Sequence, residues 1–463
     1  MKGILVFLGI AAVGAFAAVL LLLRPDGAGE QPVAAGATVA ASGATPATSG
    51  ATPAASGATP AASASTVAGE SVLLDAEGVV IEELSGDCAD SGYPYLCRYV
   101  RQRLLAEDPR LLARDGLTIR TTIDRRLQRA AQRAVDAHVH REDAQIATQV
   151  MIAPGEGAIR AMAASRDPAD GPGFQQGTTA MPYTLAAALA AGFRFDDGFH
   201  VGDEYRAQGL SRFKDCAGNA VGDTHVAVHN RKKGGDRLVT LRSGTRDAVN
   251  TFYMKLEEQV GLCETVKMAQ RLGLRSADGK PFREFETFTI GITEADPVSV
   301  ANSYASLAAR GRFCEPRVIT EIRDGSGVLR TFPSHCAQVL DPAVADAVTA
   351  VLSDVLAKST LKGIGRDAAG MPGEGDAHRT AWYAGYTPDL ASAVSLGDTR
   401  GALRHPMIDV TIGGRHYARV GGTSIPGLIW KKAMTEAVRG TQESRFTPPD
   451  TGRFGGCHNA CPN

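Results

Sequence analysis

The sequence predicts an α+β fold, and three observations carry that prediction. First, GTTAMPYTLAAALAAG, Gly177 to Gly192, reads as a helix: Thr178 and Thr179 suit a cap, Pro182 suits the first turn, and Leu185 to Ala191 is apolar on every face. Such a helix belongs inside a large core with its amino end at a surface. Second, QVMIAPGEGAIRAMAAS, Gln149 to Ser165, reads as two strands about the turn Pro154 to Gly157. RTAWYAGYTPDLASAVSLG, Arg379 to Gly397, reads as another hairpin about Thr387, Pro388 and Asp389. Third, 44% hydrophobic and 21% charged residues over 463 positions fit a globular chain that can bury a sizeable core.

In chain order, Ile4 to Leu23 is an uncharged run after Lys2, closed by Arg24, Pro25 and Asp26. At about 1.5 Å per residue it spans a roughly 30 Å hydrocarbon core. It exceeds a secretory h-region of about 7 to 15 residues and no clear A-x-A site follows directly, so an uncleaved anchor is expected rather than a cleaved signal peptide. Lys2 and Arg24 flank both ends, so charge alone does not orient the anchor. Residues 27 to 65 are almost all Ala, Gly, Ser, Thr and Pro, with SGATP recurring at Ser42, Ser49 and Ser56. That composition buries too little to fold and reads as a disordered tether with a reach of roughly 35 Å; solvation alone accounts for it without an O-glycosylated stalk. In LTIRTTIDRRLQRAAQRAVDAHV, the residues Leu127, Ala130, Ala131 and Val135 fall at helical spacing. Trp430 and Met434 lie four apart on one face of a C-terminal helix.

A net charge of -1 gives no electrostatic case for nucleic acid. The eight cysteines are an even count, and beside an export segment they favour disulfides over metal ligands. Cys314 and Cys336 bracket RVITEIRDGSGVLRTF, a hairpin turning near Gly325, so their ends come close enough to bridge. Cys457 and Cys461, with His458 between them, make an incomplete tetrahedral set, which favours a terminal disulfide over a metal. No metal and no cofactor are expected.

The ordered series of segments from about Val72 to Phe446 resembles the penicillin-binding transpeptidases. CADSGYPYLCRYVRQRLL, Cys88 to Leu105, resembles the cysteine-bracketed entry to the transpeptidase region of actinobacterial bifunctional penicillin-binding proteins. That implies a Cys88–Cys97 bridge and leaves Cys216 for Cys263 by elimination. Gln149 to Ser165 matches the hairpin that opens the family's central sheet, and Leu238 to Leu262 looks like the helix bearing its second motif. Ile292 to Ile319 resembles a helical segment and strand near the back of the domain. The resemblance implies a penicillin-binding transpeptidase or serine β-lactamase-like fold, an antiparallel sheet between helical layers. It also implies an order of anchor (1–26), linker (27–69), cysteine-bracketed segment (70–120), transpeptidase-like domain (121–446) and tail (447–463). Nothing between anchor and module is long enough for the glycosyltransferase domain of bifunctional members.

In that family an SxxK motif supplies the acylated Ser and a Lys that helps take its proton. By this resemblance Thr178 stands at the Ser and Met181 at the Lys; SxN becomes Ala248, Val249 and Asn250; KTG becomes Met371, Pro372 and Gly373. The extra methyl of a Thr restricts its rotation, and Met can neither accept nor relay a proton. Loss of the third-motif Lys removes a charge that draws substrate carboxylate, and Pro372 removes a strand N–H. Losing general acid–base help alone costs about 100- to 10,000-fold. Several expectations follow for the side chains: Thr178 caps the helix; Met181 and Met371 make the cleft hydrophobic; Asn250 bonds within helix or cleft. Glu374, Asp376 and His378 form a solvated loop rather than a replacement base, and Lys214, Lys232 and Lys233 are exposed. The function expected is a degenerate transpeptidase-like domain at the cell envelope, outside the membrane that its N-terminal helix enters. Its partners would be a cell-wall peptide or the proteins of peptidoglycan synthesis and division. The alternatives are an active D,D-transpeptidase or carboxypeptidase using Thr178 with an unrecognised base, and a non-catalytic sensor of β-lactams or muropeptides.

Overall fold

The computed structural model describes residues 70–84, 88–168, 173–207, 212–223 and 225–461. The expected anchor and the whole of the expected tether lie outside these residues. Among the described residues no helix is long and apolar enough to cross a membrane.

The helices of six residues or more among the described residues are α1 (Pro94–Glu107), α2 (Arg125–Asp136), α3 (Met181–Ala190), α4 (Leu241–Arg246), α5 (Asn250–Val260), α6 (Leu262–Leu272), α7 (Pro297–Ala308), α8 (Pro342–Ala357) and α9 (Ile425–Val438). Their starts are written in the sequence. Asp124, Asp296 and Asp341 accept backbone N–H groups at the first turns of α2, α7 and α8. A proline sits in the first turn of α1, α3, α7, α8 and α9, where its missing N–H costs nothing.

The central sheet has five strands in the order Ala369–Glu374, Thr380–Tyr386, Ala391–Asp398, Gln145–Ile152 and Ile159–Ala164, with every neighbouring pair antiparallel. Both expected hairpins are present in it. Side chains alternate between two cores: Ala147, Met151, Ala161, Tyr383 and Val394 pack with α2 and α9. Ile146, Val150, Met162, Trp382 and Ala393 pack with α3, α5 and α7. The sheet therefore lies between helical layers, as expected, and its inner strands are buried at every position. Burial on both faces forces their polar residues to find each other. Thr148 Oγ1 meets Ser395 Oγ at 2.7 Å, and Gln149 Nε2 donates to Ser392 Oγ at 3.0 Å.

A second five-stranded sheet joins the N-terminal strands Val72–Leu74, Val80–Glu83 and Thr118–Thr121 to Ile319–Asp324 and Gly327–Thr331. All four expected disulfides are present: Cys88–Cys97, Cys216–Cys263, Cys314–Cys336 and Cys457–Cys461. Cys314 and Cys336 sit directly opposite each other in a two-stranded ladder. The terminal disulfide loop is docked by the buried Asp197, whose Oδ1 accepts the amides of His458 (2.6 Å), Asn459 (2.9 Å) and Ala460 (3.1 Å).

One element differs from expectation. Leu238 to Leu262 is not one helix but the strand Arg237–Thr240 followed by α4 and α5. A capping box between Thr240 and Ser243 starts α4, and Ala248, at φ 47°, takes a left-handed conformation that ends it. The second motif thus spans the break between two helices.

Candidate functional site

Residues of the first and second motif positions, and the residue directly after the third, line a cleft of about 980 Å³. Thr178, Asn250 and Glu374 line it, together with Arg231, Glu286, His378, Arg419 and Ser424. The first motif does not begin a capped helix. Gly177–Ala180 forms a 3-10 turn leading into α3, and no side chain caps either element. Thr178 Oγ1 instead donates to the carbonyl of Pro372 at 2.7 Å, and Thr179 Oγ1 donates to Gln176 O at 2.7 Å. The cap expectation fails because the adjacent edge strand offers the hydroxyl a better-placed acceptor. That arrangement needs close backbone approach. A Cβ on Gly373 would stand 2.2 Å from Gln176 O, and one on Gly177, at φ 58°, would stand 2.3 Å from Glu374 O.

Met181 and Met371 are fully buried in the core that holds α3 and neither lines the cleft. The expectation that the methionines line the cleft is therefore corrected: they fill the space beneath it, while Val226, Val228, Phe285, Ile290 and Ile292 line it beside the charged groups. Pro372 lies on the edge strand Ala369–Glu374, opposite Tyr383, where a missing N–H leaves no ladder bond unmade on the outer side.

At the second motif, Asn250 is the first residue of α5, and its Nδ2 donates to His229 O at 2.9 Å. Its Oδ1 is buried without a hydrogen bond among the described residues. Ala248 and Val249 offer no hydroxyl between the two helices.

Glu374 does not lie in a solvated loop. Its side chain is only 7% exposed and is held between His378 Nδ1 (2.9 Å from Oε1) and Arg231 (2.8 Å from Oε2). Burial raises its carboxyl above the ordinary value, opposed by the charges of Arg231, His378 and Arg419. His378 Nδ1 also lies 3.1 Å from Val420 O, so this nitrogen is placed to carry a proton. Asp376 remains in the exposed turn, and Lys214, Lys232 and Lys233 are exposed as expected. Sequence reasoning missed Arg231, Arg419 and Glu286. Arg231 follows the strand Ala227–His229, Glu286 lies between α6 and α7, and Arg419 precedes α9, so only the tertiary fold brings them together and no local spacing signals it.

Chemically, the cleft offers the Thr178 hydroxyl tied to a carbonyl, further hydroxyls of Thr287, Thr423 and Ser424, an Asn amide and a compact charged cluster. Among the described residues, the hydrogen bond that the Thr178 hydroxyl donates goes to a backbone carbonyl.

A family model described as the penicillin binding protein transpeptidase domain matches residues 147–396, more than half of the chain. Penicillin-binding protein 1A of Mycobacterium tuberculosis is 29% identical over 380 residues, covering 75% of this chain and 43% of the relative. Penicillin-binding protein 2D of Bacillus subtilis is 25% identical over 349 residues, covering 72% of this chain and 47% of the relative. The chain thus spans less than half the length of these curated relatives. Among solved structures, the penicillin-binding protein PonA1 from Mycobacterium tuberculosis superposes with a TM-score of 0.64 at 26% identity, covering 80% of this chain and 97% of that one. PonA1 in complex with penicillin V gives a TM-score of 0.62 at 27% identity, over 80% of this chain and 98% of that one. With the antiparallel sheet, its two helical layers and the matched domain all in agreement, the chain belongs to the penicillin-binding protein transpeptidase family.

Proposed function

We propose that this chain is a non-acylating transpeptidase-like protein, tethered to the membrane through Ile4 to Leu23, that binds a cell-wall peptide in the cleft. Its place is peptidoglycan synthesis at the outer face of the membrane. The observation that carries the reading is the hydrogen bond from Thr178 Oγ1 to Pro372 O. A nucleophilic hydroxyl needs a base to receive its proton, and a backbone carbonyl cannot be one. Met181, at the position the family gives to Lys, is buried and aprotic. The family resemblance supplies the peptide as ligand, and the size of the cleft, about 980 Å³, supports it.

Isothermal titration with a peptide ending in D-Ala-D-Ala tests this reading. Saturable heat with no release of D-alanine is expected. Release of D-alanine that disappears in Thr178→Val would contradict it and mark an active carboxypeptidase. Absence of binding up to millimolar peptide would contradict the peptide reading and leave a scaffold for other envelope proteins.

A further inference from the structure

The insertion between α3 and α4 places a short segment, Val226 to Arg231, in the same cleft as Thr178. Its strand Ala227–His229 pairs with Glu204–Arg206, which fixes the segment from behind. The chain then runs to the amino end of α5. There His229 O accepts from Asn250 Nδ2 at 2.9 Å, Asn230 Oδ1 accepts the Thr251 N–H at 3.0 Å, and Asn230 Nδ2 donates to Thr251 Oγ1 at 2.9 Å. One residue further, Arg231 reaches the end of the edge strand and pairs with Glu374 Oε2 at 2.8 Å. The two anchorages are on different walls: the first is the second-motif position, the second directly follows the third.

We propose that Val226 to Arg231 is a releasable strap lining the cleft, fastened by Asn250 and Thr251 on one wall and by Glu374 on the other, whose opening widens access to Thr178. Three features suit a releasable contact. Asn250, the surviving side chain of its motif, spends its amide on the chain itself rather than on a ligand. The Arg231 guanidinium is half exposed while Glu374 is buried, and an ion pair with one exposed partner is easily opened. Glu374 does not lose all company when Arg231 leaves, because Arg419 still acts on it and His378 Nδ1 stays 2.9 Å from its Oε1. The receiving turn is itself held by the backbone: Gly375 N–H donates to Thr380 O at 3.0 Å and Met407 N–H donates to His378 O at 2.8 Å. Opening therefore moves the strap and leaves the wall in place.

The proposal rests on the reading of the cleft as a ligand site, so its test uses no ligand. All eight cysteines are in disulfides, which makes Thr178→Cys the sole thiol of the full chain, at a residue only 5% exposed. Its alkylation by iodoacetamide is compared with and without Arg231→Ala. The strap predicts acceleration of about tenfold in the double variant, as local opening becomes easier, and reversal by Arg231→Lys. Equal rates would overturn it. Because a new thiol can disturb disulfide pairing, hydrogen exchange of residues 225–233 is measured in the chain without Thr178→Cys. Faster exchange in Arg231→Ala, restored in Arg231→Lys, supports the strap; unchanged exchange overturns it. If the strap gates alkylation while peptide shows no binding to open or closed chains, the strap stands and the ligand reading falls.

Discussion

Thr178, Pro372 and Gly373 form one contact in which each depends on the others. The hydroxyl of Thr178 meets a carbonyl on a strand 194 residues further along the chain. Gly373 lets that strand lie against the 3-10 turn, since a Cβ there would stand 2.2 Å from Gln176 O and 2.8 Å from Thr179 Cγ2. Gly373→Ala is therefore expected to cost roughly 1–3 kcal/mol through overpacking, read as a lower urea midpoint. An unchanged midpoint would mean that turn and strand part freely. Gly177→Ala is expected to cost at least as much, because a positive φ adds to the clash. At this scale the sequence was legible in one direction only. It showed which residue types were missing, because acid–base chemistry is a property of side chains. It did not show where Thr178 sends its proton or that Glu374 is buried, because both depend on partners far away in sequence.

Elements were legible wherever turn residues punctuate the chain. Pro154 to Gly157 and Thr387 to Asp389 marked hairpins that the structure contains, and Asp or Pro marked the starts of most helices. The break between α4 and α5 was not legible, since Asp247, Ala248 and Val249 contain neither Gly nor Pro and Ala248 is a good helix former. What breaks the helix is the left-handed φ of Ala248, a conformation that local propensity argues against. The insertion between α3 and α4 is fixed to α6 by Cys216–Cys263, which closes 47 residues. On the chain-entropy account a loop of that length contributes about 4 kcal/mol. Cys216→Ser with Cys263→Ser should lose up to that much in chemical unfolding, with faster hydrogen exchange in residues 225–233. Loss of stability without faster exchange there would separate the insertion from the strap it carries.

Over the whole molecule, the sheet between two helical layers was legible because the resemblance fixes an order of segments and the structure keeps that order. The cleft above it was less so, because its charged lining comes from segments far apart in sequence. One buried group from this region makes stability depend on pH. Glu257 of α5 is fully buried, and burial, with the charge of Glu286 added, raises its pKa well above the ordinary 4.5. The folded chain then keeps a proton that the unfolded chain releases, so this group favours folding least at high pH. Stability falls as pH rises from the unfolded value through the folded one, by about 1.4 kcal/mol per pH unit within that window. Glu257→Gln should flatten the profile between pH 5 and neutrality and raise the urea midpoint at pH 7. Superimposable profiles would show that Glu257 ionises as it does in water. The central claim, that the cleft does not acylate, is tested most directly by intact-mass analysis after incubation with a large excess of penicillin V. The account predicts no increase in mass under conditions that acylate an active transpeptidase. A stoichiometric adduct on this chain, absent from Thr178→Val, would contradict it.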